Sequence, residues 1–349
     1  RTDLWDWLNL AVSLPKVTMT RRGILGSAIA GMATSALPLR AAAPPTDRWV
    51  LLGTGGGPIP RKTRAQPANL LQIGDRSYLI DLGAGVTHQL TLAGVNLSKI
   101  DVAFISHLHL DHSAGLASFI ALDWVEAAMR RLRSTPVPIY GPPGTQQVVE
   151  DTLKAISIQA NIFRAESAQA TPPEQWFSGR DIKQSGPLEV YRDEVLRVTA
   201  VENTHYSTMK LPEHSYGRDM SFSYRFETPW RSIVYTGDTG PSPAVEKLAM
   251  GADVLISEVI DLQGVIGDIR RKAAGKNIDD TPMIRHMEME HLTPENVGAM
   301  AARTEVKKLV LTHIGLPPNA ETADEKYMLS EIRKNYAGPV IFGSDLMSI

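Results

Sequence analysis

The stretch "ISHLHLDHSAG", residues 105–115, places three of the chain's nine histidines and an aspartate within six positions. Just ahead of it, "KIDVAFIS" is rich in Val, Ile and Phe and reads as a buried strand. Behind it, "SAGLASFIALDWVEAAMRRL" reads as a helix with Ser113 as N-cap. The cluster therefore sits where a strand hands over to a helix. Alternate residues of an extended segment project to one side. His107, His109 and Asp111 thus point together, and His112 follows as the chain turns. Imidazoles beside a carboxylate on a rigid scaffold form a metal-ligand set. With no cysteine in the chain, zinc or a similar borderline divalent ion suits it.

One short motif cannot fill two coordination shells, so other strand ends must supply ligands. Three apolar segments do. "LRVTAVENTH" ends in His205, "SIVYTGDTG" carries Asp238, and "VKKLVLTHIG" carries His313. Each is followed by turn-forming sequence. A strand-end Asp before Thr-Gly is by itself an ordinary turn former; the repetition makes it a ligand candidate. The glycines at 53, 55, 56 and 57 fit neither a Walker loop nor a dinucleotide fingerprint. They read as a turn that lets backbone pass close to the metals. His88, His214 and His286 lack metal spacing and read as surface or supporting groups.

The set H-x-H-x-D-H, a distant His, a G-D-T aspartate and a late T-H resembles the metallo-β-lactamase superfamily. The resemblance runs from about Trp49 to Ile349, with "LLGTGGGPIP", "YLIDLGAG" and "GPVIFGSDLMSI" as further matches. Within the superfamily the chain is similar to the branch of tRNase Z, arylsulfatase-type enzymes and related phosphodiesterases. It departs from the tRNase Z pattern where Ser257 stands for a histidine before Glu258, and where Leu292 stands for a serine after His291. The resemblance implies an α/β fold, an αββα sandwich of two mixed β-sheets flanked by helices. It implies two Zn2+ ions, with Mn2+ or Fe2+ as alternatives. His107, His109 and His205 would hold one, Asp111, His112 and His313 the other, and Asp238 would bridge. A metal-bound hydroxide would attack, with Asp111 orienting it. His291, opening "HLTPENVGAMAARTEV", would act as general acid and Glu258 would tune it.

The N-terminus suggests an address. "TRRGILGSAIAGMATSALPLRAAAPP" has Arg21 and Arg22 before a Gly/Ala-rich stretch and resembles a twin-arginine export signal. Residues 1–43 are read as an upstream extension and signal peptide, and 44–349 as one metallo-hydrolase domain. The expected location is periplasmic or secreted, with no stable membrane span after signal removal. A homodimer is compatible with the sequence. An insertion at 264–287 contains the basic stretch "GDIRRKAAGK"; it reads equally as a lid over an anionic substrate or as a solvated helix.

Charge shapes the substrate expectation. The net charge is −2, and residues 143–200, where tRNase Z proper carries a Gly- and basic-rich arm, hold eight acids against six bases. Nucleic acid is therefore not favoured as a partner. The expected function is an exported dinuclear zinc hydrolase of small phosphodiester or sulfate esters. A β-lactamase or lactonase acting on a cyclic amide or ester is one alternative, and a tRNase Z-like ribonuclease is another.

Overall fold

The computed structural model describes residues 47–130, 135–167 and 171–349. These belong to one compact unit, Pro45–Ile349. The signal-peptide reading of Arg21, Arg22 and their surroundings lies outside the described residues. Among the described residues, no helix is long and apolar enough to cross a membrane.

In chain order the first strands are β1 (Asp47–Gly53), β2 (Gly55–Gly56), β3 (Ala68–Ile73), β4 (Arg76–Leu82), β5 (Val102–Phe104), β6 (Val137–Gly141) and β7 (Phe177–Asp181). Then follow β8 (Leu188–Arg192), β9 (Arg197–Glu202), β10 (Phe222–Glu227), β11 (Ser232–Tyr235), β12 (Val254–Ile260), β13 (Leu309–Gly315), β14 (Val340–Phe342) and β15 (Met347–Ser348). The first five helices are α1 (Val86–Leu92), α2 (Leu110–Ser113), α3 (Leu116–Arg130), α4 (Thr145–Ala155) and α5 (Ser157–Glu166). The last five are α6 (Pro243–Ala249), α7 (Leu262–Ala273), α8 (Thr281–Met289), α9 (Pro294–Arg303) and α10 (Glu325–Arg333).

Two mixed sheets result. One has the order β15-β1-β3-β4-β5-β6-β7, the other β14-β13-β12-β11-β10-β9-β8, with β2 added beside β13. The period of the strand side chains builds three core layers from them. Along β1, Trp49 and Leu51 enter the layer between the sheets, while Val50 and Leu52 turn outward beneath the helices. In β12, Val254 and Ile256 face the middle layer and Leu255 and Val259 the outer one. Both faces are buried, so these strands read as continuous apolar runs rather than alternating ones. The middle layer is aromatic. Phe104 meets Phe226 edge-on with centroids 5.7 Å apart, and Trp49 meets Phe226 at 5.3 Å. Each such pair adds about 0.5–1.5 kcal/mol beyond the area it buries. The αββα expectation holds.

One local expectation changes. The helix after the histidine motif does not start at Ser113. A helical turn, α2, opens at Leu110, and Ser113 Oγ donates back to the His109 carbonyl at 2.9 Å. The insertion, read equally as a lid or as a solvated helix, forms two helices, α7 and α8. The helix after His291 starts as expected, with Thr293 capping Asn296 N and the Asn296 side chain accepting from Thr293 N. That capping box orients α9 and fixes the residues just before it.

Candidate metal centre

The strand ends deliver their ligands to one place. His107 follows β5, His109 precedes α2, and Asp111 and His112 lie in α2. His205 follows β9, Asp238 follows β11, and His313 lies near the end of β13 with φ of 41°. The parallel register of β11, β12 and β13 pairs Tyr235 with Ile256 and Ser257 with Leu311, which brings the Asp238 and His313 ends level. The glycine turn works as read: a Cβ on Gly56 would stand 2.7 Å from Gly315 N and 2.9 Å from His313 Nδ1. Only glycine lets this backbone pass the imidazole.

Two pockets form side by side. In the first, His107 Nε2 and His205 Nε2 each stand 3.1 Å from His109 Nδ1. In the second, His313 Nε2 lies 3.1 Å from Asp238 Oδ2, His112 Nε2 lies 3.3 Å from Asp238 Oδ1, and Asp111 Oδ2 lies 3.4 Å from His313 Nε2. Asp238 Oδ2 is also 3.9 Å from both His107 Nε2 and His205 Nε2, so this carboxylate faces both pockets.

Tautomers are set from outside. A carboxylate or carbonyl only accepts. His112 Nδ1 therefore donates to Asp81 Oδ2 at 2.8 Å, and His205 Nδ1 donates to the Glu290 carbonyl at 3.0 Å. Each then turns its Nε2 inward. Electrostatics separate the pockets. Burial, reinforced by neighbouring imidazoles, drives His107 and His205 well below the usual histidine range. His112 is buried too, but Asp238, Asp81 and Asp111 around it hold it well above that range. Burial pushes Asp238 up, yet His313 and His112 hold it well below the usual carboxylate range.

The residues fit a metal. His112 Nε2, Asp238 Oδ1 and His313 Nδ1 are buried with no hydrogen-bond partner, an arrangement native interiors avoid unless something else satisfies them. Three ring nitrogens converging in the first pocket cannot all hydrogen-bond one another. His107, His109 and His205 form one candidate ligand group, and Asp111, His112, Asp238 and His313 another.

Beside the pockets, His291 Nδ1 donates to Glu258 Oε2 at 2.7 Å, and Glu258 Oε1 accepts from Thr239 N at 2.5 Å. Burial alone would lower His291, but Glu258 beside it pushes it up to about 9. All nine residues expected at the site are thus brought together. One was missed. Asp81, fully buried with φ of 57°, accepts from Ser106 N at 2.7 Å, Ser106 Oγ at 2.9 Å and Tyr235 OH at 2.7 Å besides His112. A lone carboxylate ending the apolar run "YLID" was its signal. His286, read as a surface or supporting group, stands beside His205 and His291, with ring centroids at 5.4 and 5.3 Å, and so takes the supporting place. His214 instead stacks on Tyr216 and faces Asp219.

Fold and site together define a metal-dependent hydrolase. The chain belongs to the β-lactamase superfamily: the family model for the beta-lactamase superfamily domain matches residues 76–314. Among curated relatives, Ribonuclease Z of Mycobacterium bovis (strain BCG / Pasteur 1173P2) is 30% identical over 296 residues, covering 85% of this chain and 95% of that protein. Ribonuclease Z of Mycolicibacterium gilvum (strain PYR-GCK) is 33% identical over 265 residues, 75% of this chain and 82% of the relative. Among solved structures, the metallo-beta-lactamase fold protein YhfI from Bacillus subtilis superposes with a TM-score of 0.58 at 20% identity, covering 87% of this chain and 98% of its own.

The relatives overturn the substrate expectation. They are named ribonucleases, so hydrolysis of small phosphodiester or sulfate esters, with nucleic acid disfavoured, is corrected. The charge argument failed for a physical reason. Neither the net charge nor the acid–base count of residues 143–200 describes the field that a polyanion meets at a site.

Proposed function

We propose that this chain is a ribonuclease that hydrolyses an RNA phosphodiester at a two-metal centre. The observation that carries the reading is the buried His291–Glu258 pair beside the ligand pockets, taken with relatives named Ribonuclease Z. A ribose oxygen is a poor leaving group and needs a proton; an imidazole held by a carboxylate supplies one.

His107, His109 and His205 would hold one ion, Asp111, His112 and His313 the second, with Asp238 between. Zinc suits the set: it is built of imidazoles and carboxylates without thiolate, and the 3.1 Å nitrogen spacing in the first pocket is near the roughly 3.3 Å expected of two nitrogens on one tetrahedral zinc. Manganese or ferrous ion is compatible with the same donors. When bound, the metals supply an acidified water and polarise a phosphoryl oxygen.

The chain's own residues do the rest. Asp81 and the Glu290 carbonyl lock His112 and His205 so that each aims Nε2 inward. Asp111, whose Oδ2 lies 3.4 Å from His313 Nε2, would orient the attacking water. Glu258 holds His291 by Nδ1, leaving Nε2 to give its proton to the departing ribose oxygen. Through Thr239 N the same carboxylate fixes the loop that carries Asp238, so acid and ligand keep one geometry.

The test offers the metal-loaded protein a tRNA transcript with a 3′ extension, beside a nitrophenyl ester and a cephalosporin. Cleavage of the RNA is expected, with loss of activity on chelation. His291→Ala should keep its metal while kcat on RNA falls by roughly 10²–10⁴-fold. Turnover of the cephalosporin with no cleavage of RNA by the metal-replete protein overturns the reading.

A further inference from the structure

The insertion between Glu258 and His291 ends at the metal centre. Its second helix, α8, closes with Met289, and the next residue, Glu290, is fully buried. Glu290 carries two kinds of acceptor, and they face different partners. Its backbone carbonyl accepts from His205 Nδ1 at 3.0 Å. Its carboxylate Oε1 accepts from Thr208 N and Thr208 Oγ1, both at 2.5 Å, and its Oε2 accepts from His286 Nδ1. Glu290 N donates to the His286 carbonyl at 3.0 Å. One residue thus ties together the imidazole of His205, the loop that follows it and the last turn of α8.

Burying a carboxylate is costly unless its oxygens are satisfied. Here Thr208 and His286 satisfy them, so Glu290 is buried at low cost only while α8 and the loop after His205 are docked together. That docking fixes the peptide that carries the Glu290 carbonyl, and with it the direction of the His205 ring. Holding Nδ1 of the ring aims Nε2 at the first pocket. The other supports do not pass through the Glu290 carboxylate. His112 is held by Asp81. The Met289 carbonyl lies against the Asp238 loop, where a Cβ on Gly240 would stand 1.9 Å from it. That loop has its own tie, Thr239 N donating to Glu258 Oε1 at 2.5 Å.

We propose that Glu290 is a positioning residue for the first pocket. Its carboxylate clamps α8 to the loop after His205, so that its carbonyl aims the imidazole at an ion held there. The inference goes beyond the ribonuclease reading and does not depend on the substrate. It gives the inserted helix pair a function: to hold one ligand of one ion in place.

The test uses the full chain with zinc as probe. Glu290→Ala removes the clamp. Glu290→Gln keeps the shape and an oxygen for Thr208, and its amide donates to His286 Nδ1 once that ring changes tautomer. Competition against a chromogenic chelator gives the affinity of each pocket, and the Tm of the metal-free protein reports packing separately. Glu290→Ala should weaken zinc in the first pocket about 10- to 100-fold, with the second pocket changed much less. Glu290→Gln should recover most of that affinity. Thr208→Val removes one donor and leaves Thr208 N. It should weaken the same pocket about two- to tenfold, as for one lost hydrogen bond, and it carries the test if Glu290→Ala does not fold. Equal weakening of both pockets overturns the inference. So does a lowered Tm with both zinc affinities unchanged, since Glu290 would then only pack α8. No RNA enters the measurement, so the inference and the ribonuclease reading stand or fall separately.

Discussion

The two pockets of the metal centre are built on opposite electrostatic plans. The first presents three imidazoles that burial and mutual repulsion keep neutral. The second interleaves His112 and His313 with Asp111 and Asp238, and each charge is offset by its neighbour. Their supports differ as well. The second pocket leans on Asp81, a carboxylate inside the sheet core. The first leans on a backbone carbonyl of Glu290 at the end of the inserted helix pair and, one step removed from Asp81, on Ser106 Oγ, which lies 3.1 Å from His107 Nδ1 and donates to Asp81. An ion held in the first pocket would meet three neutral donors, whereas one held in the second would meet carboxylates that offset its charge.

The largest effect that would break the comparison comes from the residue both pockets share. Asp238→Ala should lose about two ions and nearly all hydrolysis, because it removes the carboxylate between them. His205→Ala should lose about one, leaving the second pocket filled. Metal analysis of the two variants checks this, and equal loss in both would mean that the pockets fill as one unit.

A smaller effect isolates the supports. Asp81→Asn keeps the shape but replaces a carboxylate that accepts four hydrogen bonds. Metal affinity of the second pocket should fall about 10- to 100-fold, the usual cost of removing such a partner, with the first pocket changed much less. Competition titrations against a chromogenic chelator would resolve the two affinities. A drop confined to the first pocket would contradict the assignment of supports. The smallest effect lies one step further out. Thr293→Ala removes the N-cap of α9 and should cost about 1 kcal/mol, lowering Tm by roughly 2–4 °C in a domain of this size. Metal content should not move. A loss of metal here would show that α9 positions ligands as well as His291.

Legibility in the sequence followed the range of the interactions. His107, His109, Asp111 and His112 could be read because their convergence is set by a two-residue period and one turn. His205, Asp238 and His313 could be read because each ends an apolar run, and the repetition pointed to one sheet edge. Asp81 was hidden although its neighbours were quoted, since a carboxylate at a strand end is ordinary until Ser106, Tyr235 and His112 are known to surround it. His286 was left open between surface and supporting group because helical spacing around it matches no ligand pattern. Its place depends on Glu290 and on contact between Met289 and Gly240, far apart in sequence. The substrate was misread because a charge count, over the chain or over residues 143–200, does not place charges in space.

The sequence by itself determined the metal-ligand types, the strands that carry them and the sandwich they imply, because period and residue chemistry act over a few neighbours. Only the tertiary structure decided how the candidate ligands divide into a neutral pocket and a charge-balanced one, which buried carboxylate or carbonyl fixes each imidazole, and that an inserted helix sets His286 beside His205 and His291. Those outcomes depend on strand register and helix docking, where a shift of one residue would turn the same side chains away from one another.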